Sequence, residues 1–184
     1  GEYTSNGLEL GFNNPTSLSG ARIVVDPGHG VKDKGAAGFN PNYPEAVINW
    51  EIAQKLASAL EDSGAAVKLI KTQGVSVEPT MQERASTARA FAPHIYVSVH
   101  SNSGNASAVG SEVYYFYPFA KNLSGYAASE MASALGTTNR GGKYGLYYVT
   151  RESQYVSVLC ETGFVSNQND YNKLIENKYL KRVA

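Results

Sequence analysis

The sequence predicts an α/β fold: a single open, mostly parallel twisted sheet of about six strands with helices on both faces. Three observations carry that expectation. Short β-branched runs at Ile23–Val25, Ile95–Val99 and Val156–Cys160 suit strands in the middle of a sheet, where both faces are covered. Stretches with apolar residues every third or fourth position fall between these runs, as crossover helices would. The length, 184 residues, is enough for one domain with a sizeable core and short for two.

Composition removes several classes of function. Lys plus Arg, 16, equals Asp plus Glu, 16, so no net field draws the chain to nucleic acid or to an anionic membrane. No apolar run approaches the ~20 residues of a membrane helix. A single cysteine, Cys160, forbids an intramolecular disulfide. The 13 tyrosines favour amphipathic surfaces and polar polymer substrates, though tyrosines also pack strands. Residues 1–20, rich in Gly, Ser, Thr and Asn, read as a linker or tag remnant, leaving 21–184 as the folded domain.

Taken in order, the run Ile23–Val25 stops at Asp26-Pro27-Gly28-His29-Gly30. Proline and glycine end the strand, and His29 is left at its carboxyl end, where open α/β sheets place ligands. Val31 to Tyr43 is a loop. Pro44 and Glu45 open a helix with Ile48, Ile52, Leu56 and Leu60 along one face, ended at Gly64. Glu45 in its first turn either answers the helix dipole or returns to His29. Ala66 to Lys71 reads as a second strand, and Pro79 to Phe91 as a second helix with Met81, Ala85 and Ala88 inward.

The next run, His94 to Ser103, is a strand that ends in His100; His94 at its other end is a bystander. Glu112 to Tyr117 reads as a tyrosine-rich strand near an edge, and Ala120 to Leu135 as a helix. Asn139 to Lys143 is expected as a loop, Gly145 to Thr150 as a short strand. Val156 to Cys160 then delivers Glu161, with Cys160 turned away as a buried, inert thiol. A last helix is expected over Asn169 to Val183.

Two histidines and a glutamate converging on one sheet edge would leave a tetrahedral zinc ion an open position for water, and a further carboxylate would serve as general base. Asp26 is open to two roles, orienting a ligand histidine or capping the turn.

Six motifs carry a resemblance: Asp26-Pro27-Gly28-His29-Gly30; Glu45 with Asn49; Gln82-Glu83-Arg84; Val97-Ser98-Val99-His100-Ser101-Asn102; Arg140-Gly141-Gly142-Lys143; and Cys160-Glu161-Thr162-Gly163-Phe164-Val165-Ser166-Asn167. In that order they resemble the zinc-dependent N-acetylmuramoyl-L-alanine amidases of the amidase-3 type. The likeness runs from Ala21 to the end. It implies one zinc ion per chain on His29, Glu45 and His100, and Glu161 as catalytic acid/base. Asn102, Arg140 and Lys143 are assigned to the substrate, with Arg140 and Lys143 either gripping a peptide carboxylate or standing as loop charges in water.

The implied substrate is peptidoglycan or a muropeptide, cut between the lactyl group and L-alanine by a bacterial autolysin, spore-related enzyme or phage endolysin. Extracellular or wall-associated action, a monomer, and further wall-binding domains in the parent protein are expected with it. Three departures from the family pattern, His94, Trp50 and Lys71-Thr72-Gln73, leave the metal set intact. A non-hydrolytic wall-binding module and a zinc peptidase acting within the stem peptide are the alternatives.

Overall fold

The computed structural model describes residues 2–4, 7–9 and 16–177. In chain order the elements are β1 (Glu2–Thr4), β2 (Gly7–Glu9), β3 (Arg22–Pro27), α1 (Glu45–Asp62), β4 (Ala66–Leu69), α2 (Met81–Phe91), β5 (Ile95–Asn102), β6 (Ser111–Tyr115), α3 (Lys121–Leu135), β7 (Asn139–Tyr144), β8 (Val156–Phe164) and α4 (Gln168–Leu174). Strands β1 and β2 pair antiparallel as a ribbon of their own, so the opening stretch expected as a linker carries paired backbone. The other six form one sheet in the order β4-β3-β5-β8-β6-β7. Its first four strands are parallel; β6 runs against β8, and β7 follows β6.

Side-chain alternation divides this sheet into two working faces. Ile23, Val25 and Val99 pack with Ile48 and Ile52 of α1, whereas Val24, Tyr96 and Leu159 pack with Ala88 of α2. Val113, Val158 and Cys160 meet Ala128 and Met131 of α3. Helices therefore cover both faces, as the periodicity predicts. Helix α1 is held by its Ile48–Ile52 stripe and ends where Gly64 takes a φ of +89°. Helix α2 opens with a capping box: Glu83 N–H donates to the Thr80 hydroxyl, and the Glu83 carboxylate accepts from Thr80 N–H at 2.8 Å.

Several expectations give way. Asn139–Tyr144 is a strand, not a loop; its pairing with β6 supplies what its glycines lack in propensity. Residues 145–150 form no strand, and a 3₁₀ turn covers Val149–Arg151. Met81 stands 41% exposed at the start of α2, lining a cavity and not buried in the core. The tyrosine-rich strand β6 does lie near an edge, one place in from it. Helix α4 ends at Leu174, and the rest of the helix expected to reach Val183 falls partly on residues 178–184, outside the described residues.

Candidate active site

The parallel strands β3 and β5 lie side by side, with Pro27 opposite Val99, so their carboxyl ends bring His29 and His100 to one place. Helix α1 starts over the same edge and presents Glu45, 6% exposed, from its first turn. Nε2 of His29 lies 3.1 Å, and Nδ1 of His100 3.0 Å, from the same Glu45 oxygen, Oε1. The three ligand-type atoms all lie within 4.8 Å of one another. The sequence-derived metal set is thus one cluster.

Its surroundings hold each group in one pose. His29 turns its other nitrogen, Nδ1, to Asp33 Oδ2 at 2.8 Å, which fixes the ring and leaves Nε2 facing the cluster. The residue has a φ of 62°, a left-handed conformation that costs about 1–2 kcal/mol. Glu45 Oε2 accepts Ala36 N–H at 3.0 Å. Asn49, one turn along α1 and fully buried, donates to Gly28 O at 3.3 Å and accepts the Ser101 hydroxyl at 3.1 Å. A Cβ at Gly28 would collide with the His100 ring, and one at Gly35 would sit 2.5 Å from Glu45 Oε2 and 2.7 Å from the His29 ring. Both glycines are needed for close approach.

This donor set suits a small cation. Four ligands at about 2.0–2.1 Å around a tetrahedral zinc lie roughly 3.3 Å apart, close to the two nitrogen–oxygen separations here. Two imidazole nitrogens and a carboxylate oxygen are all donors that zinc takes. Hydrogen bonding to Glu45 lifts His29 to about 9 against its burial, and, against the burial of Glu45, the two histidines hold that carboxyl far below the carboxylate range.

Glu161 lies within β8, opposite His100 on β5 and Glu112 on β6. Its Oε2 is buried without a hydrogen-bond partner. Burial first, then the Glu45 and Glu112 charges, push it up to about 8. Such a carboxyl holds or gives up a proton near neutral pH. Cys160, its neighbour, points to the helix side, and burial raises its thiol to about 12. It is inert, as expected.

Two groups escape sequence reasoning. Glu112, 2% exposed, takes Arg140 Nε at 2.5 Å, Asn102 Nδ2 at 2.8 Å, the Tyr114 hydroxyl at 2.6 Å, and Lys143 Nζ. The three residues assigned to the substrate therefore converge on a carboxylate of their own chain, and Arg140 and Lys143 are neither free grips nor charges in open water. Asp26 has neither role considered for it. It is buried against Arg84 Nη1 at 2.5 Å and the Tyr96 hydroxyl. Arg84, 2% exposed, also donates to Pro27 O at 2.8 Å and His29 O at 2.7 Å, clamping the turn that carries His29. The charged pattern Gln82-Glu83-Arg84 on an otherwise amphipathic helix was the only signal for it. His94 lies at the opposite rim, its Nδ1 accepting Arg22 N–H at 2.9 Å.

A cavity of about 280 Å³ borders this site, lined by His100 and Glu161 together with Met81, Tyr147, Tyr148 and Val149. A larger apolar cleft, about 550 Å³, opens on the other face between α1 and α3 and contains none of the clustered groups.

Comparison with known proteins agrees with this geometry. The profile of the N-acetylmuramoyl-L-alanine amidase family matches residues 23–184. LytC of Bacillus subtilis (strain 168), named an N-acetylmuramoyl-L-alanine amidase, is 34% identical over 178 residues, covering 94% of this chain but 35% of LytC. Among solved structures, the catalytic domain of CwlV, an N-acetylmuramoyl-L-alanine amidase from Bacillus (Paenibacillus) polymyxa var. colistinus, aligns with a TM-score of 0.82 at 31% identity, over 89% of this chain and 91% of that one. The N-acetylmuramoyl-L-alanine amidase of Clostridium difficile 630 aligns with a TM-score of 0.81 at 29% identity, over 90% and 91%. The chain thus spans about a third of LytC and nearly all of the two solved domains.

Proposed function

Because this chain belongs to the N-acetylmuramoyl-L-alanine amidase family, a family of peptidoglycan hydrolases, we propose that it cuts the lactyl–L-alanine amide with one zinc ion held by His29, Glu45 and His100 and with Glu161 moving the proton. The observation that carries this is the meeting of His29 Nε2 and His100 Nδ1 on one oxygen of Glu45 beside a buried, unpartnered Glu161 oxygen. When bound there, zinc supplies a Lewis acid for the lactyl carbonyl and a water of lowered pKa.

The chain's own residues do the rest. Asp33 orients His29, and Arg84 fixes the turn behind it. Glu161 accepts the proton of the attacking water through its free oxygen and returns it to the leaving amine of L-alanine. Its raised proton affinity suits both halves of that exchange. Glu112 keeps a second negative charge opposite Glu161 and ties Asn102, Arg140 and Lys143 into the floor on which the peptide would lie. All these groups come from one chain, so a single chain suffices to form the site. Its substrate places its action in the bacterial cell wall, outside the cytoplasmic membrane, with targeting left to other domains of a longer parent.

Digestion of purified peptidoglycan tests this reading. New L-alanine amino termini without new reducing sugar are expected. New ends inside the stem peptide would make the protein a peptidase instead, and binding without any new ends would make it a wall-binding module.

A further inference from the structure

We propose that the cavity between Met81 and Tyr148 is a saccharide subsite, taking the uncharged pyranose ring on the acyl side of the scissile amide while the stem peptide lies across Glu112. The assignment rests on the amidase reading above. The cavity is continuous with the chemistry, since His100 and Glu161 form part of its wall. At about 280 Å³ it is at the small end for a ligand pocket, room for one ring and not for an extended peptide.

Its lining decides what kind of ring. Met81 of α2 (41% exposed) faces the loop carrying Tyr147 (39%) and Tyr148 (38%). Tyrosines offer a flat apolar face to sugar C–H groups and a hydroxyl to sugar oxygens. The two charged residues deeper in, Asp26 and Arg84, are spent on each other and on backbone carbonyls. Arg151 lies over the Tyr148 ring at 5.4 Å but does not line the cavity. A stem peptide carries carboxylates and finds no free partner here. The glycan, uncharged once its lactyl group is amide-linked, needs none. On the β6 side of Glu161 the surface is polar, with Arg140, Lys143 and Asn102 gathered on Glu112. The aromatic wall also continues outward: the rings of Tyr147 and Tyr114 meet edge to face at 4.9 Å, beside Gly145, where a Cβ would lie 2.7 Å from either ring.

The test is calorimetric binding to the zinc-loaded protein. One probe is the disaccharide of N-acetylglucosamine and N-acetylmuramic acid with its lactyl group capped as the methylamide; the other is free L-alanyl-D-isoglutamine. Tyr148→Ala and Met81→Ala change the two opposite walls at exposed positions, and thermal melts verify that each folds. The expected result is that each variant weakens the disaccharide about tenfold, as loss of an anchoring contact does, and leaves the dipeptide within about twofold. Three results would overturn the subsite: no disaccharide binding to the parent protein, unchanged disaccharide binding in both variants, or a loss confined to the dipeptide. Muropeptide hydrolysis is scored separately. The expected binding pattern in a protein that hydrolyses no muropeptide supports the subsite and overturns the amidase reading, so the two fail independently.

Discussion

Replacing Arg84 with methionine removes the clamp behind His29 and leaves in place every side chain proposed to bind zinc or move the proton. Arg84 donates to Asp26, Pro27 O, His29 O and, at 3.2 Å, Pro79 O, so the substitution strands a buried carboxylate and unpairs backbone carbonyls. Breaking a buried ion pair by removing one partner costs about 3–5 kcal/mol, and unpaired carbonyls at about 1–3 kcal/mol each do not add in full because the turn relaxes. Set against a total stability of about 5–15 kcal/mol, the variant still folds at low temperature. At roughly 2–4 °C per kcal/mol for a chain of this length, it should melt about 6–20 °C lower.

Proton linkage sharpens that test. Burial already raises the Asp26 pKa, with Arg84 and Tyr96 opposing it, and loss of Arg84 raises it further. A carboxyl whose folded pKa is raised contributes most stability below its unfolded value and loses it as pH rises. The deficit of Arg84→Met should therefore be greatest at high pH and shrink as pH falls and the stranded carboxyl takes up a proton. Urea melts of parent and variant at a series of pH values measure it. Zinc affinity should fall about 10–100-fold, since the turn carrying His29 loses its support, and Arg84→Lys should recover part of both losses. A methionine variant melting within about 2 °C of the parent, with a deficit independent of pH, refutes the reasoning.

Glu161→Gln should keep zinc and melting temperature while muropeptide turnover drops about 10²–10⁴-fold; loss of zinc would make Glu161 a ligand, and near-full turnover would make it structural. Chelation should remove one zinc per chain and abolish turnover, with both restored by added zinc; metal analysis that finds no stoichiometric zinc counts against the site. Glu112→Gln should cost about 1–3 kcal/mol at pH 7. Its partners Lys143, Tyr114 and Arg140 outweigh burial and hold Glu112 near 2, below the usual 4.5, so its stabilisation is present above pH 4.5 and is lost as pH falls toward 2. Parent and Glu112→Gln melts should therefore converge in acid, and a constant gap would contradict the pairing. His94→Ala should lose about 1 kcal/mol with its bond to Arg22 N–H and leave zinc binding and turnover unchanged.

The parts of this molecule legible from sequence are those that local pattern dictates. Ile23–Val25 and Ile95–Val99 announce buried strands, and each stops at a histidine because proline, glycine or polar residues follow. The Ile48–Ile52 stripe fixes which side of α1 faces the sheet, and with it the direction of Glu45. What was not legible depends on partners remote in the chain. Asn139–Tyr144 has no strand signature of its own and becomes a strand by lying along β6. Arg140 and Lys143 reach Glu112 about thirty positions away, and Arg84 reaches Asp26 across 58. A charge's neighbours in sequence do not say which buried carboxylate it will meet. Met81 shows the converse: its spacing suits burial, yet it borders a cavity in place of packed side chains.

The alternation of β8 has a consequence for how the two clefts are divided. Cys160 and Glu161 are bonded to each other yet answer to different surroundings, one to the side chains of α3 and the other to the reacting groups. The cleft between α1 and α3 meets Cys160 and not Glu161, although α1 also carries Glu45 in its first turn. The cavity in front meets Glu161, the carboxylate proposed to move the proton. One peptide bond thus separates the apolar wall of one cleft from the polar wall of the other.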